Sequence, residues 1–261
     1  MDVEWLKQEA THLFQHNRLG RPQRSGPAVY HAPSLGGELR FPRRLPPWLR
    51  WSWHGLWLAR LPWLVNYPHQ WSLDSCCHAI ALSHLDVPLA QAELESLLSA
   101  QQPDGFIPHM VWNRRHMHWI DRIVMRPIYA SSAGSRYLAP PLLAEAVEAV
   151  YGRSQDIDFL RHVLPCMKKL YSYIEANRVA EDGLAEIIIS YEAKDRSPEY
   201  DLVYSEPNTR SLWRGPMFRL MLRHRLLGWD TRRILSSQRF RVKDLMFNVI
   251  YATNLAALGR L

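Results

Sequence analysis

The constraint that most limits what this chain can fold into is a run of helix-period segments separated by long loops, with almost no alternating strand pattern. Residues 2–17 place Val3, Leu6, Ala10 and Leu13 or Phe14 on one face of a helix. Residues 17–46 are rich in Gly, Pro, Arg and Ser, have no helical period, and read as a long loop. Pro46-Pro47 opens a Trp-rich helix over 48–64, since proline is tolerated in a first turn. Asp74-Ser75 reads as the N-cap of a helix to about Leu85, and Asp86 with Pro88 as the start of another to about Ala100. Gln102-Pro-Asp-Gly105 is turn chemistry, as is Asp182-Gly183. Helical patterns resume over 140–151, 156–177, 211–227 and 243–258, with a short β-branched run at Ile187–Ile189. No repeat of solenoid length is present. The expected class is all-α: helical hairpins bury their apolar faces on one another, and loops rich in aromatic, carboxylate and His residues are left to carry a site.

Composition removes several function classes. The chain has 261 residues, 47% hydrophobic and 22% charged, which excludes a disordered or fibrous protein. Three cysteines (Cys76, Cys77, Cys166) form neither a disulfide framework nor a zinc motif, and Cys76 and Cys77 read as small packing residues of a helix. Nothing calls for a metal or other cofactor. The net charge of +7 comes almost wholly from arginine. Outside 40–50 and 219–241 these arginines are dispersed among acids and aromatics, so we expect no nucleic-acid partner. Steeply salt-dependent binding would contradict that. The first residues are charged, unlike a signal peptide, and the most apolar stretch, 49–65, contains Arg50, His54, Arg60 and Pro62. The expectation is a soluble cytoplasmic protein with no membrane contact.

Three segments go beyond generic helix text. They are Tyr67-Pro-His-Gln-Trp71-Ser-Leu-Asp74 followed by His78-Ala-Ile; Gln102-Pro-Asp-Gly-Phe-Ile-Pro108-His109-Met; and Tyr191-Glu192-Ala-Lys-Asp195-Arg-Ser197-Pro198-Glu-Tyr200-Asp201. Together they resemble the (α/α)6-toroid glycoside hydrolases related to mannosylglycerate and glucosylglycerate hydrolases and to the processing α-glucosidase. Those enzymes read approximately YPxxWxWDxxxHAI, WxxGxIPHM and WESGxDxSPx(W/Y)D. The resemblance runs from about Pro46 to the end. It implies a partial toroid over 46–261 preceded by a helix and loop segment over 1–45, and a carbohydrate substrate with an α-linked glucosyl or mannosyl group. It also implies inverting hydrolysis. That chemistry needs an acid on the leaving oxygen and a base activating water across the ring, with the two carboxyls about 6.5–9.5 Å apart.

By resemblance, Asp195 is the general acid. Tyr67, Trp71, Asp74 and His109 bind the sugar, and Tyr191 stands where the family has a Trp. Read from the residues alone, Asp74 is also an N-cap candidate, His109 also a candidate partner for a loop carbonyl, Trp71 as readily core as platform, and Asp195 also a candidate solvated loop residue. Four departures stand beside the match. The acid motif is one residue short and lacks its Gly. Ala139 occupies the position of a sugar-binding Gln in the run Gly134–Pro141. Leu73 replaces the second Trp. The sequence also stops at Leu261, before the region that supplies the relatives' general base. Asp201, Glu145, Glu148 and Asp244 are poor substitutes: the two glutamates read as a solvated pair and Asp244 as a surface or helix N-terminal acid. The resulting expectation is little turnover by residues 1–261 alone. Self-association through exposed apolar helix faces, or a second chain completing the toroid, would accompany it. A catalytically inactive carbohydrate- or partner-binding remnant is the competing reading.

Overall fold

The computed structural model describes residues 3–23, 26–31, 69–113, 134–194, 197–204, 216–237 and 239–261. The expected Trp-rich helix over 48–64 and the Arg40–Arg50 stretch lie outside these residues, as do Tyr67 and Asp195.

The described architecture is helical. α1 (Val3–Asn17) leads into a hairpin of β1 (Arg18–Gln23) and β2 (Gly26–His31). Next come β3 (Gln70–Trp71), α2 (Ser72–Leu82), α3 (Val87–Leu98) and β4 (Met110–Val111). α4 (Leu143–Ser154), α5 (Ile157–Arg178), α6 (Asp201–Tyr204), α7 (Pro216–Leu226), α8 (Thr231–Ser236) and α9 (Leu245–Arg260) complete the order.

α4 is the centre of the packing and contacts α2, α3, α5 and α9. Its sequence explains this. Ala144, Ala146, Val147 and Val150 are all fully buried, and their small volumes let four neighbours approach one helix. α4 has no side-chain cap of its own. Its free first-turn amides are met by other helices: Ala144 N–H donates to the Tyr171 hydroxyl at 3.0 Å, and Glu145 N–H to Asn254 Oδ1 at 2.9 Å. By contrast α3, α5, α8 and α9 each start on an aspartate (Asp86, Asp156, Asp230, Asp244) whose carboxylate accepts from the first turn.

Several sequence expectations need correction. Of the stretch after Asn17, residues 18–23 and 26–31 are paired strands rather than loop, and 32–46 lie outside the described residues. Its strands contain Pro22, Pro27, Gly20 and Gly26, so propensity hides them. Docking supplies the order instead: β2 packs on α3, and the His31 N–H donates to Glu93 Oε2 at 2.7 Å. α1 turns Trp5, Leu6 and Leu13 to solvent, and Phe14 of the expected apolar face packs on the core. Cys76 is buried as expected but Cys77 is exposed. Glu148 is held by exposed Arg260, in keeping with a solvated acid. Asp244 is the cap of α9 and not a surface acid: it is buried and also accepts from the Tyr200 hydroxyl at 2.6 Å. The short α8 had no period long enough to read.

Two glycines are fixed by different causes. Gly105 has φ +95°, and a Cβ there would run into the Lys169 carbonyl oxygen. Gly183 has φ +81° in open space. Gly105→Ala is therefore expected to cost about 3 kcal/mol or more, from backbone strain combined with the clash. Gly183→Ala should cost only ~1 kcal/mol. Urea unfolding of both variants checks the difference; equal losses would contradict it.

Candidate functional site

The site begins with a backbone ladder. β3 pairs antiparallel with β4, setting Trp71 opposite Met110, and Val111 continues to a bridge with Gly134. Ser72 N–H donates to His109 O at 2.9 Å, His109 N–H to Tyr137 O at 2.8 Å, and Ser135 N–H to Met110 O at 2.8 Å. Three distant segments thus lie edge to edge, and the side chains of Trp71, His109 and Tyr137 are carried together.

Their rings form one cluster. Trp71 and His109 meet edge to face at 5.1 Å, His109 and Tyr191 at 4.5 Å, and Trp71 and Tyr191 at 6.1 Å. Tyr137 extends the cluster, 6.2 Å from Tyr191 and 5.5 Å from Trp229, and its hydroxyl lies 3.1 Å from His224 Nδ1. Trp71, His109 and Tyr191 are half-buried, so the cluster reaches solvent. The structure therefore brings together three of the sequence-derived site residues.

Asp74 sits in the first turn of α2 but is not its cap. Trp71 occupies the cap position and makes no side-chain capping bond, while Ser72 donates its hydroxyl to the Pro108 carbonyl. The sequence expectation of an Asp74-Ser75 cap is overturned, because β3 delivers the chain into the helix three residues earlier. Asp74 is left half-buried beside His78. Burial raises its pKa, His78 and a backbone amide oppose that rise, and the nearby Glu93 carboxylate reinforces it.

His109 is the clearest polar group of the cluster. Burial pushes its pKa down to about 4, so it is neutral near pH 7. Its Nδ1 is buried with no hydrogen-bond partner among the described residues. A neutral imidazole both donates and accepts, which suits a hydroxyl group.

Two buried carboxylates flank the site, and sequence reasoning assigned neither. Glu93 on α3 accepts from His31 Nδ1 at 2.7 Å and from the Ser75 hydroxyl at 2.5 Å; Gln70, next to Trp71, donates to both Ser75 Oγ and Glu93 O. Glu192, next to Tyr191, is fully buried against Arg178. The only sequence signal for Glu192 is its place in the acid motif; Arg178 reads as an ordinary last-turn basic residue. Among the described residues no group of three or more His, Cys, Asp and Glu side chains is arranged to hold a metal ion, and no helix is long and apolar enough to cross a membrane.

Residues 67–261 match the model of the mannosylglycerate hydrolase MGH1-like glycoside hydrolase domain. The chain belongs to that family. It is 26% identical to a mannosylglycerate hydrolase of Thermus thermophilus, over 70% of this chain and 51% of that enzyme. It is 52% identical over 46 residues to a glucosylglycerate hydrolase of Mycolicibacterium hassiacum, a stretch covering 18% of this chain and 10% of that enzyme. The crystal structure of a GH63 mannosylglycerate hydrolase from Thermus thermophilus, in complex with Tris and D-glycerate, superposes with a TM-score of 0.71 at 24% identity. That superposition covers 98% of this chain and 59% of the other, and places the described helices in a helical-toroid fold. The chain spans about half the length of the Thermus relative it matches.

The neutral state of His109 has a consequence for stability. Its folded pKa of about 4 lies below the ordinary 6.5, so the unfolded chain binds more protons between those values. The contribution is fully present above about pH 6.5 and is lost as pH falls toward 4. His109→Gln should flatten the rise of Tm with pH across that window, measured by thermal melts from pH 4 to 7. An unchanged slope would contradict the buried, neutral assignment.

Proposed function

We propose that the Trp71–His109–Tyr191 cluster, with Asp74, is the hexose-binding part of a glycoside hydrolase acting on an α-linked hexosyl compound such as mannosylglycerate or glucosylglycerate. The observation that carries this reading is the convergence of three motif residues from three segments, in a half-open aromatic cluster where the buried His109 Nδ1 has no partner among the described residues. Aromatic faces match the C–H faces of a sugar, and the His109 imidazole and the uncapped Asp74 carboxylate match its hydroxyls. Tyr67 joins this set by its motif, and Asp195 takes the role of general acid in an inverting reaction. Residues 46–261 carry the site, and 1–45 form a supporting segment whose hairpin docks on α3. The names of the Thermus and Mycolicibacterium relatives support the substrate class.

One observation favours a second reading, a carbohydrate-binding protein without turnover. Ala139, where the family has a sugar-binding Gln, is buried and brings no polar side chain. The shortened acid loop points the same way.

Calorimetric titration of the chain with mannosylglycerate and glucosylglycerate tests the site. Binding is expected, weakened about tenfold to a hundredfold in Trp71→Ala and His109→Ala, the loss of one ring platform or one buried hydrogen bond. Unchanged affinity in both variants would end the site assignment. Hexose release that disappears in Asp195→Asn while binding persists supports the hydrolase. Binding with no release in the unsubstituted chain supports the second reading.

A further inference from the structure

Glu192 is among the most heavily coordinated side chains of the structure. Oε1 accepts from Arg178 at 2.6 Å and from the Leu138 N–H at 2.9 Å. Oε2 accepts from Arg178 at 2.9 Å and from the Ile188 N–H at 2.9 Å. Arg178 also donates to the Glu186 carbonyl at 3.3 Å. Both side chains are removed from water, with relative exposures of 0% and 1%. One carboxylate therefore ties together the end of α5, the Ile187–Ile189 run, and the segment after Tyr137.

The two segments it joins carry the site. Leu138 directly follows Tyr137, whose carbonyl holds the His109 amide. Glu192 itself directly follows Tyr191, whose ring packs on His109 and Trp71. A hydrophobic pair of similar volume fills a core at no greater cost than a buried ion pair, so packing alone does not call for this arrangement. A bidentate, four-donor carboxylate, by contrast, fixes both position and orientation of the loop it belongs to.

We propose that Glu192, locked by Arg178, is a positioning residue that sets the Tyr191 ring against His109 and Trp71 and thereby sets sugar affinity. This rests on the hexose-site reading above. Neither residue touches the ligand; they act through Tyr191.

A double-mutant cycle separates this from a merely structural role. Affinity for mannosylglycerate is measured by calorimetry, well below each variant's melting temperature. Glu192→Gln keeps the acceptor for Leu138 but loses the charge facing Arg178. It is expected to weaken binding about tenfold in the otherwise unsubstituted chain and by less than twofold in the Tyr191→Ala background. Arg178→Lys, which keeps the charge but loses the fork, gives the same pattern and serves where Glu192→Gln does not fold. Amide exchange at Leu138 and Ile188 should quicken in the Glu192 variant without ligand. Full additivity with Tyr191→Ala, or unchanged affinity in a folded Glu192→Gln or Arg178→Lys chain, overturns the proposal. If Tyr191→Ala, Trp71→Ala and His109→Ala all leave affinity unchanged, it is the site reading that fails, and the positioning role with it.

Discussion

The site depends on the small backbone ladder joining β3, β4 and the bridge at Gly134. No single side chain brings residues 71, 109 and 137 together; hydrogen bonds between extended backbone segments do. Such bonds lie in a region that includes fully buried Gln70 and Asn113. An unmade bond there would leave an orphaned amide or carbonyl, so the register is enforced by what slipping would cost. Gly134 shows how tight the approach is. Its φ is ordinary, yet a Cβ would collide with the Met110 carbonyl oxygen and crowd the Pro108 ring. The family-like run Gly134–Pro141 thus comes close enough to hold His109 only because its first residue has no side chain.

The ladder in turn is held between two buried carboxylates. Glu93 lies on the α2–α3 side, where it gathers His31, Ser75 and Gln70 and links the N-terminal hairpin to the helix that carries Asp74. Glu192 lies on the opposite stretch of sequence and gathers α5 and the 138 segment. Burying an anion is expensive unless every lone pair is met, and both carboxylates accept on both oxygens. This specifies loop conformation in a way apolar packing does not, which matters because the site residues sit on loops and helix starts rather than within helices.

How much of this was legible in the sequence follows from the range of each interaction. Helices such as 157–178 and 245–260 declare themselves by apolar period, a local feature. Trp71, His109 and Tyr191 were readable because their motifs carry them, and the ladder then joined them. The cap at Asp74 was misread because cap chemistry was judged from residue type alone. The entry angle comes from β3 pairing with a segment 40 residues away. The pairing of 18–23 with 26–31 is hidden for a related reason: the strands lack alternation, and their order comes from docking on α3. Arg178–Glu192 and His31–Glu93 could not be paired from sequence at all, since a buried charge looks like a surface charge until its neighbours are known.

The distribution of charge completes the physical picture. Seven arginines lie between Arg219 and Arg241 against one acid, Asp230, and that acid is spent capping α8. Arg223, Arg225, Arg232 and Arg233 are exposed on α7 and α8. Inward from them, charge is suppressed. Burial, helped by Arg178 and Arg223, pushes His224 down to about 3, and burial alone takes His109 to about 4. The interior of the aromatic cluster is therefore an array of neutral donors and acceptors. A neutral array costs less to desolvate than a charged one, and its hydrogen bonds act by placement rather than by net charge. Asp74 is the exception, and its environment is balanced: burial and Glu93 oppose ionisation while His78 favours it. A carboxylate poised this way accepts hydrogen bonds from paired hydroxyls when ionised, and it keeps that capacity only because Trp71, and not Asp74, begins the helix.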